Sequence, residues 1–349
     1  MKTYSSTIKN YFIGWFLASI IWLMIQKFNP ETNNVLNLNI VNQTITFFIT
    51  WFLQAIVFGS LQFLVDRYVK HRVSFIKLQL YSLILQIITA VLLVFVIFYS
   101  FKIFTIVEKS RSIIEFLNNL EGLWIAFVYA LIVNFTINLV TYIDLTLGKG
   151  NLLKMMTGKF YTPRERMKIF MFLDLKSSTT YAEKLGHVKY SKLIQDCFYD
   201  LAIVDKYKAT IYQYVGDEAV LTWNMNTGIK NNNCIESFFA FKESLLKRKS
   251  YYLKTYGVIP EFKAGLNAGK IMLTEVGVFK REIAYHGDTI NTTSRLEGEC
   301  NRLDAEMIIS KEVLDQIQED KNLKITYEDD ILLKGKNKKV KMYSVKKIK

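Results

Sequence analysis

The sequence predicts a two-part fold, an α-helical transmembrane domain with four spans followed by an α+β domain. The first observation is composition: the 349 residues are 51% hydrophobic, above the share usual for a soluble protein, and the mean hydropathy is +0.15. The second is that the apolar residues concentrate before residue 147. The third is that, from residue 168 onward, apolar runs of strand length alternate with amphipathic stretches of helix length.

Each predicted span is a segment that is long and apolar enough to cross a bilayer, and the four segments cover about residues 11–28, 45–65, 78–101 and 122–146. The third segment contains no charged residue. A signal peptide could account for one such segment at most. Buried core helices could account for the shorter segments, but neither alternative accounts for all four. Four together favour membrane spans.

The loops between these segments predict the orientation of the membrane domain. Basic residues follow the second and the fourth segment, whereas bases and acids nearly balance after the third: the basic residues are Arg67, Lys70, Arg72, Lys77, Lys149, Lys154 and Lys159. Positively charged loops stay in the cytoplasm. The sequence therefore predicts a multi-pass membrane protein with its N- and C-termini in the cytoplasm.

The predicted domain boundaries are 1–146 for the membrane domain, 147–167 for a linker with three glycines and a proline, and 168–349 for the second domain. The linker either transmits a conformational state from the membrane domain to the second domain or only tethers the two, and the sequence leaves both possibilities open. The net charge of +14 favours an anionic partner, such as a membrane surface, a nucleic acid or a polyphosphate. Three scattered cysteines indicate neither a zinc site nor a disulfide framework.

The second domain is predicted element by element. The apolar run over 167–175 predicts a buried strand, and the stretch over 179–207, with hydroxyl residues available to cap its start, predicts one long helix. Two apolar runs around Gly216-Asp217 predict a hairpin. A helix near 234–254, a strand over 261–269, a helix near 288–299, a further segment over 305–317 and two strands within 325–345 follow.

Two acidic residues stand where apolar strands end. Asp174 closes the first strand, and Asp217 lies in the hairpin turn. If these strands are neighbours in one sheet, both carboxylates meet at one edge and suit Mg²⁺, which prefers oxygen ligands. Two such ions can clamp the attacking and leaving oxygens of an in-line displacement. The alternative is that Asp174 caps a helix and Asp217 forms a turn, and these residues alone leave both interpretations open.

A third motif lies in residues 284–300. Asn291 and Arg295 are four residues apart, so on a helix they share one face. An amide beside a guanidinium forms a cluster of donors that suits phosphate and sugar oxygens. The alternative is an ordinary solvated helix face on which Arg295 pairs with Glu299.

Together these motifs resemble the catalytic domain of the class III nucleotide cyclases, the adenylate and guanylate cyclase family, over about residues 165–349. The family's first strand ends in an aspartate followed by an apolar residue and a hydroxyl-rich helix start, and its hairpin carries Gly-Asp. Its later motif is Gly-x-x-(Val/Ile)-Asn-x-x-(Ala/Ser)-Arg, and Lys-Gly-Lys precedes a late strand. The matching residues here are Asp174, Leu175, Ser177, Gly216, Asp217, Gly287, Ile290, Asn291, Ser294, Arg295, Lys334, Gly335 and Lys336.

The resemblance implies a ferredoxin-like βαββαβ fold, a head-to-tail homodimer with active sites at the interface, and two Mg²⁺ or Mn²⁺ ions per site. The 3′-hydroxyl of a nucleoside triphosphate then attacks its own α-phosphorus and expels pyrophosphate. The implied site residues are Asp174, Asp217 and the backbone carbonyl of Leu175 for the metals, Asn291 and Arg295 of the other chain for catalysis, and Lys334 for the phosphates. The resemblance implies a bacterial member in the inner membrane, with no nucleic-acid partner.

The base preference departs from the family pattern. Typical adenylate cyclases carry Lys and Asp at two base-reading positions, which here hold Gln213 and Ala284. Gln213 can donate and accept hydrogen bonds, whereas Ala284 has no polar side chain. ATP is favoured as the commonest substrate of the family, while guanylate and pyrimidine cyclases of the same fold stay open, as does a receptor that binds nucleotide without catalysis.

Two more distant alternatives fit less well. A diguanylate cyclase carries a GG(D/E)EF hairpin, which the sequence around Gly216-Asp217 resembles only loosely, and Asn291 and Arg295 then stay unexplained. A channel or transporter needs intramembrane charges along its path, and the predicted spans contain almost none.

Overall fold

The structure is a computed structural model that describes residues 4–28, 40–68, 74–103, 122–148, 150–332 and 339–348. The chain divides into two compact units, Lys2–Ile143 and Asp144–Lys349.

In its described residues, the first unit contains four helices: α1 (Tyr4–Phe28), α2 (Ile40–Tyr68), α3 (Phe75–Ile103) and the larger part of α4 (Gly122–Thr146). Each coincides with a predicted apolar segment. Many large apolar side chains face outward, whereas the packed interior combines two aromatic residues with small and branched ones: Tyr11, Trp15, Ala18, Ala55, Ala130, Val133 and Ile137.

The interior of this unit also contains a connected set of polar side chains. Tyr11 Oη donates to Asn138 Oδ1 at 3.0 Å, and Asn138 Nδ2 donates to Gln62 Oε1 at 3.0 Å. Ser82 Oγ donates to the same Gln62 oxygen, and Gln62 Nε2 donates to the buried Asp66. Because buried polar groups are costly without partners, these bonds favour one relative register of the four helices.

Two of the helices meet the length and hydropathy expected of a membrane span. The stretches are Tyr4–Ile25 in α1 and Phe127–Thr146 in α4, while the described apolar stretches of α2 and α3, Trp51–Asp66 and Phe75–Thr89, are shorter. A core helix or a signal sequence passes the same test, so these helices are weak evidence for a membrane. The four helices are observed; four crossings stay a prediction.

The second unit is built on an eight-stranded mixed sheet. Its strands are β1 (Arg164–Leu175), β2 (Thr210–Val215), β3 (Glu218–Asn224), β4 (Phe262–Val276), β5 (Glu282–His286), β6 (Met307–Ser310), β7 (Leu323–Ile331) and β8 (Val340–Lys347). Their order is β2-β3-β1-β4-β6-β8-β7, with β5 paired to β4. The first four strands, in the order β2-β3-β1-β4, form the predicted βαββαβ core.

The helices of this unit are α5 (Leu152–Met156), α6 (Ser178–Leu185), α7 (His187–Asp200), α8 (Met225–Ile229), α9 (Asn233–Lys247), α10 (Lys249–Tyr256), α11 (Asp288–Glu299) and α12 (Lys311–Leu314). Side chains of a strand alternate between faces. Met171 and Leu173 of β1 pack into the main core with Phe238 of α9, whereas Phe170 packs on the opposite face near Ile290 of α11. Burying one such side chain contributes about 1.5–3 kcal/mol.

Two helix predictions were wrong in length. The predicted helix over 179–207 is interrupted at Gly186, whose φ of 71° lies in a region that favours glycine, and it ends in a 3₁₀ turn over Leu201–Tyr207. The predicted helix near 234–254 is divided at Arg248. Strand β5 was not predicted, because it is short and pairs only with the far end of β4.

The connector between the units is partly ordered by one carboxylate. Both Asp144 oxygens accept the Gly150 N–H at 3.0 Å, and one also accepts the Leu152 N–H at 3.3 Å. Asp144 thus caps the start of α5. The carbonyl of Phe160 accepts the Glu275 N–H at 3.0 Å, so the second half of the predicted linker joins the sheet domain before β1 begins.

Candidate active site

Strand register brings the two predicted metal ligands to one edge of the sheet. In the antiparallel β1–β3 ladder the last pair is Leu173 with Ala219, and Asp174 follows directly. The β2–β3 hairpin closes at Val215 and Glu218, so its turn places Asp217 next to the end of β1. The structure therefore brings the two acids together, as the sequence predicted.

The electrostatics of this edge indicate a need for positive charge. Burial raises the pKa of the Asp174 carboxyl; nearby Lys263 opposes the shift, and the Asp217 carboxylate adds to it. Burial, followed by the neighbouring carboxylates of Glu297 and Asp174, raises the pKa of Glu218 to about 7. These carboxylates repel one another, and a bound cation relieves such repulsion.

An unpartnered oxygen marks the same place. Asp217 Oδ2 is buried and has no hydrogen-bond partner among the described residues, and a buried polar atom left unpaired is costly. Mg²⁺ is commonly held by one or two carboxylates together with substrate phosphates. Asp174 and Asp217 fit that chemistry. In the described part of the chain, no group of three or more His, Cys, Asp or Glu side chains surrounds a metal position.

Leu175, whose backbone carbonyl the resemblance implies as a metal ligand, is the last residue of β1. Its side chain is buried, and it pairs with Phe262 of β4. Its position directly after Asp174 is compatible with the implied role, which stays a prediction.

Two side chains at this edge were not anticipated. Tyr190 of α7 lies close enough that burial, followed by the Asp217 carboxylate, raises the pKa of its phenol to about 12, so it stays a neutral donor. Lys263 of β4 is buried, and its Nζ lies 3.3 Å from Asp174 Oδ2 and 2.6 Å from Glu297 Oε1. The position of Lys263 inside the apolar strand "EFKAGLNAG" could have indicated its role. Lysine is almost never buried without an acidic partner, so a lysine in a buried strand predicts an ion pair.

Helix α11 presents Asn291 and Arg295 on one face. Asn291 is exposed and Arg295 is half-buried, and within the described residues neither side chain makes a hydrogen bond or an ion pair. The alternative pairing of Arg295 with Glu299 is not observed, since Glu299 pairs with Arg302 instead. The donor cluster predicted from sequence is therefore available to a ligand.

The two predicted base-reading positions lie beside an aromatic pair. Gln213 on β2 is exposed and Ala284 on β5 is half-buried. Their neighbours, Tyr212 and Tyr285, have ring centroids 4.5 Å apart, and a bulge in β2 separates Ile211 from Gln213 in the ladder with β3. The contact between these rings shows that β2 and β5 approach each other at Tyr212 and Tyr285; the pairing of Gln213 with Ala284 around a base stays a prediction.

The predicted phosphate ligand, Lys334, falls between β7 and β8 in the segment 333–338 and lies outside the described residues.

The family profile described as "Adenylate and Guanylate cyclase catalytic domain" matches residues 161–347, more than half of the chain. The chain belongs to this family. The match begins just before β1 and ends with β8, so it covers the whole sheet with the carboxylate edge and α11.

Individual relatives are consistent with this assignment. Adenylate cyclase 2 of Rhizobium meliloti (strain 1021) is 35% identical over 192 residues, which cover 55% of this chain and 53% of that protein. The chain thus spans about half the length of this curated relative.

Solved structures share the fold. Two structures of a bacterial light-regulated adenylyl cyclase match with TM-scores of 0.54 and 0.52, at 18% and 16% identity. The matches cover 66% and 68% of this chain and 67% and 66% of the other chains. At such identities the likeness concerns the fold.

Proposed function

We propose that this protein is a membrane-anchored class III nucleotide cyclase that converts a nucleoside triphosphate, with ATP favoured, to the 3′,5′-cyclic nucleotide and pyrophosphate. The observation that carries the proposal is the buried, unpartnered Asp217 Oδ2 beside Asp174, in a chain of the cyclase family. The name of the Rhizobium meliloti relative supports ATP.

Each group of residues has a distinct task in this proposal. Asp174, Asp217 and the carbonyl of Leu175 would hold two Mg²⁺ or Mn²⁺ ions, and such ions would supply positive charge near the phosphates and the attacking hydroxyl. Asn291 orients the ribose, and Arg295 donates to the oxygens on which charge develops in the transition state. The protein supplies position and charge rather than a nucleophile.

The two faces of α11 support a site shared between two chains. Glu297 reaches toward Asp174 through Lys263. It follows Arg295 by two residues, so the two side chains leave the helix about 160° apart. Arg295 therefore faces away from the carboxylates of its own chain. A second copy, placed head to tail, brings Asn291 and Arg295 to those carboxylates.

The test is turnover by the purified full-length protein in detergent, with Mn²⁺ or Mg²⁺ and each of the four common ribonucleoside triphosphates. Mass spectrometry identifies the products. We expect a cyclic nucleotide and pyrophosphate in equal amounts. Release of inorganic phosphate, a dinucleotide product or no turnover with any of the four substrates contradicts the proposal.

Base selection in this site is expected to be loose. Of the two base-reading positions, only the one that holds Gln213 has a polar side chain. Each missing hydrogen bond to the base costs about 1 kcal/mol of selectivity. We expect cyclic AMP as the main product, with measurable use of a second triphosphate. The double change Gln213→Lys with Ala284→Asp should sharpen the preference for ATP, as measured by competition between ATP and GTP.

The single Gln213→Lys change is the control for this experiment. Without an aspartate at position 284 the exposed lysine has no partner to orient it against the base, so this change alone should not sharpen the preference. A wild-type protein that uses ATP alone, or makes only a cyclic pyrimidine nucleotide, shows that Gln213 does not select the base. Tyr285, whose ring packs against that of Tyr212, is then the next candidate for the residue that selects the base.

The membrane part of the proposal has four spans, with both termini in the cytoplasm of a bacterium. The basic residues around 66–77 and 149–159 support this orientation. A phosphatase reporter fused after residue 40 or 112 should be active in the periplasm, whereas one fused after residue 72 should be inactive. The reverse pattern places the catalytic domain outside, away from nucleotide.

A further inference from the structure

Lys263 joins two elements that serve different tasks. Its ammonium lies 3.3 Å from Asp174 Oδ2 at the end of β1 and 2.6 Å from Glu297 Oε1 on α11. Only 8% of the Lys263 side chain and 10% of the Glu297 side chain are exposed. Ion pairs buried to this degree are screened far less than surface pairs, so a change at one partner affects the other.

The backbone of α11 is held tightly at the same place. A Cβ on Gly265 of β4 would lie 2.2 Å from the Glu297 nitrogen and 2.6 Å from the Thr293 carbonyl oxygen. Only glycine permits so close a helix–strand contact. Because the α11 backbone packs against β4 beside Glu297, we expect a change in the ion pair of Glu297 to displace the helix as one unit.

We infer that Lys263 is a positioning residue for both active sites of a dimer, acting on Asp174 in one site and, through Glu297, on the α11 face that serves the other site. The inference rests on the proposed cyclase function and on its shared sites. In a head-to-tail pair, the Asp174 of one chain and the Arg295 of the same chain belong to different sites, and Lys263 connects them.

The two ends of this connection predict effects of opposite kind. The ammonium beside Asp174 opposes the binding of a divalent cation, because like charges repel. Lys263→Met should therefore tighten Mn²⁺ binding at least threefold. The same change leaves Glu297 without its partner and displaces α11, so turnover in the other site should fall at least fivefold. A variant that merely destabilises the folded protein should instead lower both Mn²⁺ affinity and turnover.

The first experiment measures Mn²⁺ binding directly, by electron paramagnetic resonance of the purified full-length protein in detergent without nucleotide. Lys263→Met should bind Mn²⁺ more tightly than the wild type. Glu297→Gln should bind it at least twofold more weakly, because Lys263 then pairs with Asp174 alone. Lys270→Met, which removes an exposed lysine from the same strand, should leave binding unchanged.

The second experiment separates the two sites in a mixed dimer. One protomer carries Arg295→Ala and supplies the carboxylates of the intact site, and its partner carries Asp174→Asn and supplies α11. Lys263→Met in the first protomer should lower the half-saturating Mn²⁺ concentration with little change in kcat. In the second protomer it should lower kcat with little change in the Mn²⁺ requirement, and Lys263→Arg should restore both properties.

The results that would contradict the role of Lys263 differ from those that would contradict the proposed function. Unchanged Mn²⁺ affinity in both Lys263→Met and Glu297→Gln, or a kcat loss that is the same whichever protomer carries Lys263→Met, overturns the inference. If Lys263→Met does not fold, Glu297→Gln still carries the test, through weaker Mn²⁺ binding and a kcat loss confined to the protomer that supplies α11. If the two variants show these Mn²⁺ shifts but the wild-type protein makes no cyclic nucleotide, the proposed function is contradicted instead.

Discussion

Asp217→Asn is expected to lower cyclase activity by about two to three orders of magnitude, because a neutral amide cannot balance the charge of a divalent cation that contributes several kcal/mol to the transition state. Asp174→Asn should have the same effect. Activity is measured as cyclic nucleotide formed by the purified full-length protein at saturating Mn²⁺ and ATP.

The structure also predicts that Asp217→Asn leaves the protein folded. Asp217 Oδ2 has no hydrogen-bond partner in the described chain, and the carboxylate repels its acidic neighbours Asp174 and Glu218. Removing its charge should therefore leave the thermal unfolding temperature unchanged or raise it in the absence of metal. Asp304→Asn, at an exposed position, is the matched control and should retain full activity.

Substantial activity in either Asp174→Asn or Asp217→Asn contradicts the metal assignment. A large fall in the unfolding temperature contradicts the account of Asp217 in a different way, because it means that the carboxylate has a structural task. The two measurements together separate these outcomes.

The second large effect is complementation between two inactive variants. Asp174→Asn removes a metal ligand, and Arg295→Ala removes a donor to the developing charge, a loss typically worth a factor of 10²–10³ in kcat. Each homodimer should be inactive. A dimer with one protomer of each kind contains one intact site, because that site takes its carboxylates from one chain and its arginine from the other.

Co-expression with two different affinity tags isolates the mixed dimer, which should recover about half of the wild-type rate per dimer if the two sites act alike. The matched control pairs Asp174→Asn with Asp217→Asn. That dimer has one defective carboxylate in each site and should stay inactive. Recovery in the control, or its absence in the first pair with dimers confirmed by light scattering, means that each chain builds its own site.

The parts of the site that could be predicted from sequence are those that local patterns determine. Asp174 and the Gly216-Asp217 turn interrupt apolar runs, and the spacing of Asn291 and Arg295 has helical periodicity. Their meeting at one edge then follows from strand pairing, which the order β2-β3-β1-β4 supplies. The helix break at Gly186 was missed because amphipathic periodicity continues on both sides of it.

The residues that sequence reasoning missed depend on contacts between distant elements. Lys263 pairs with Asp174 because β4 and β1 are neighbours with a particular register. Glu297 joins them because α11 packs directly on Gly265. Neither contact follows from a periodic pattern or from a fixed spacing between residues in the sequence. The polar interior of the helical unit is similar, since the partners of Asn138 come from three other helices.

The most direct test of the central claim, that Asp174 and Asp217 hold the catalytic metals, is to count the Mn²⁺ ions bound in the presence of 3′-deoxyATP. This analogue keeps the phosphates but lacks the attacking hydroxyl. With the analogue present, electron paramagnetic resonance of the full-length protein should show about two Mn²⁺ ions bound per site and a loss of tight binding in Asp217→Asn. Wild-type protein without such ions, or an Asp217→Asn variant that binds them as tightly as the wild type, contradicts the account.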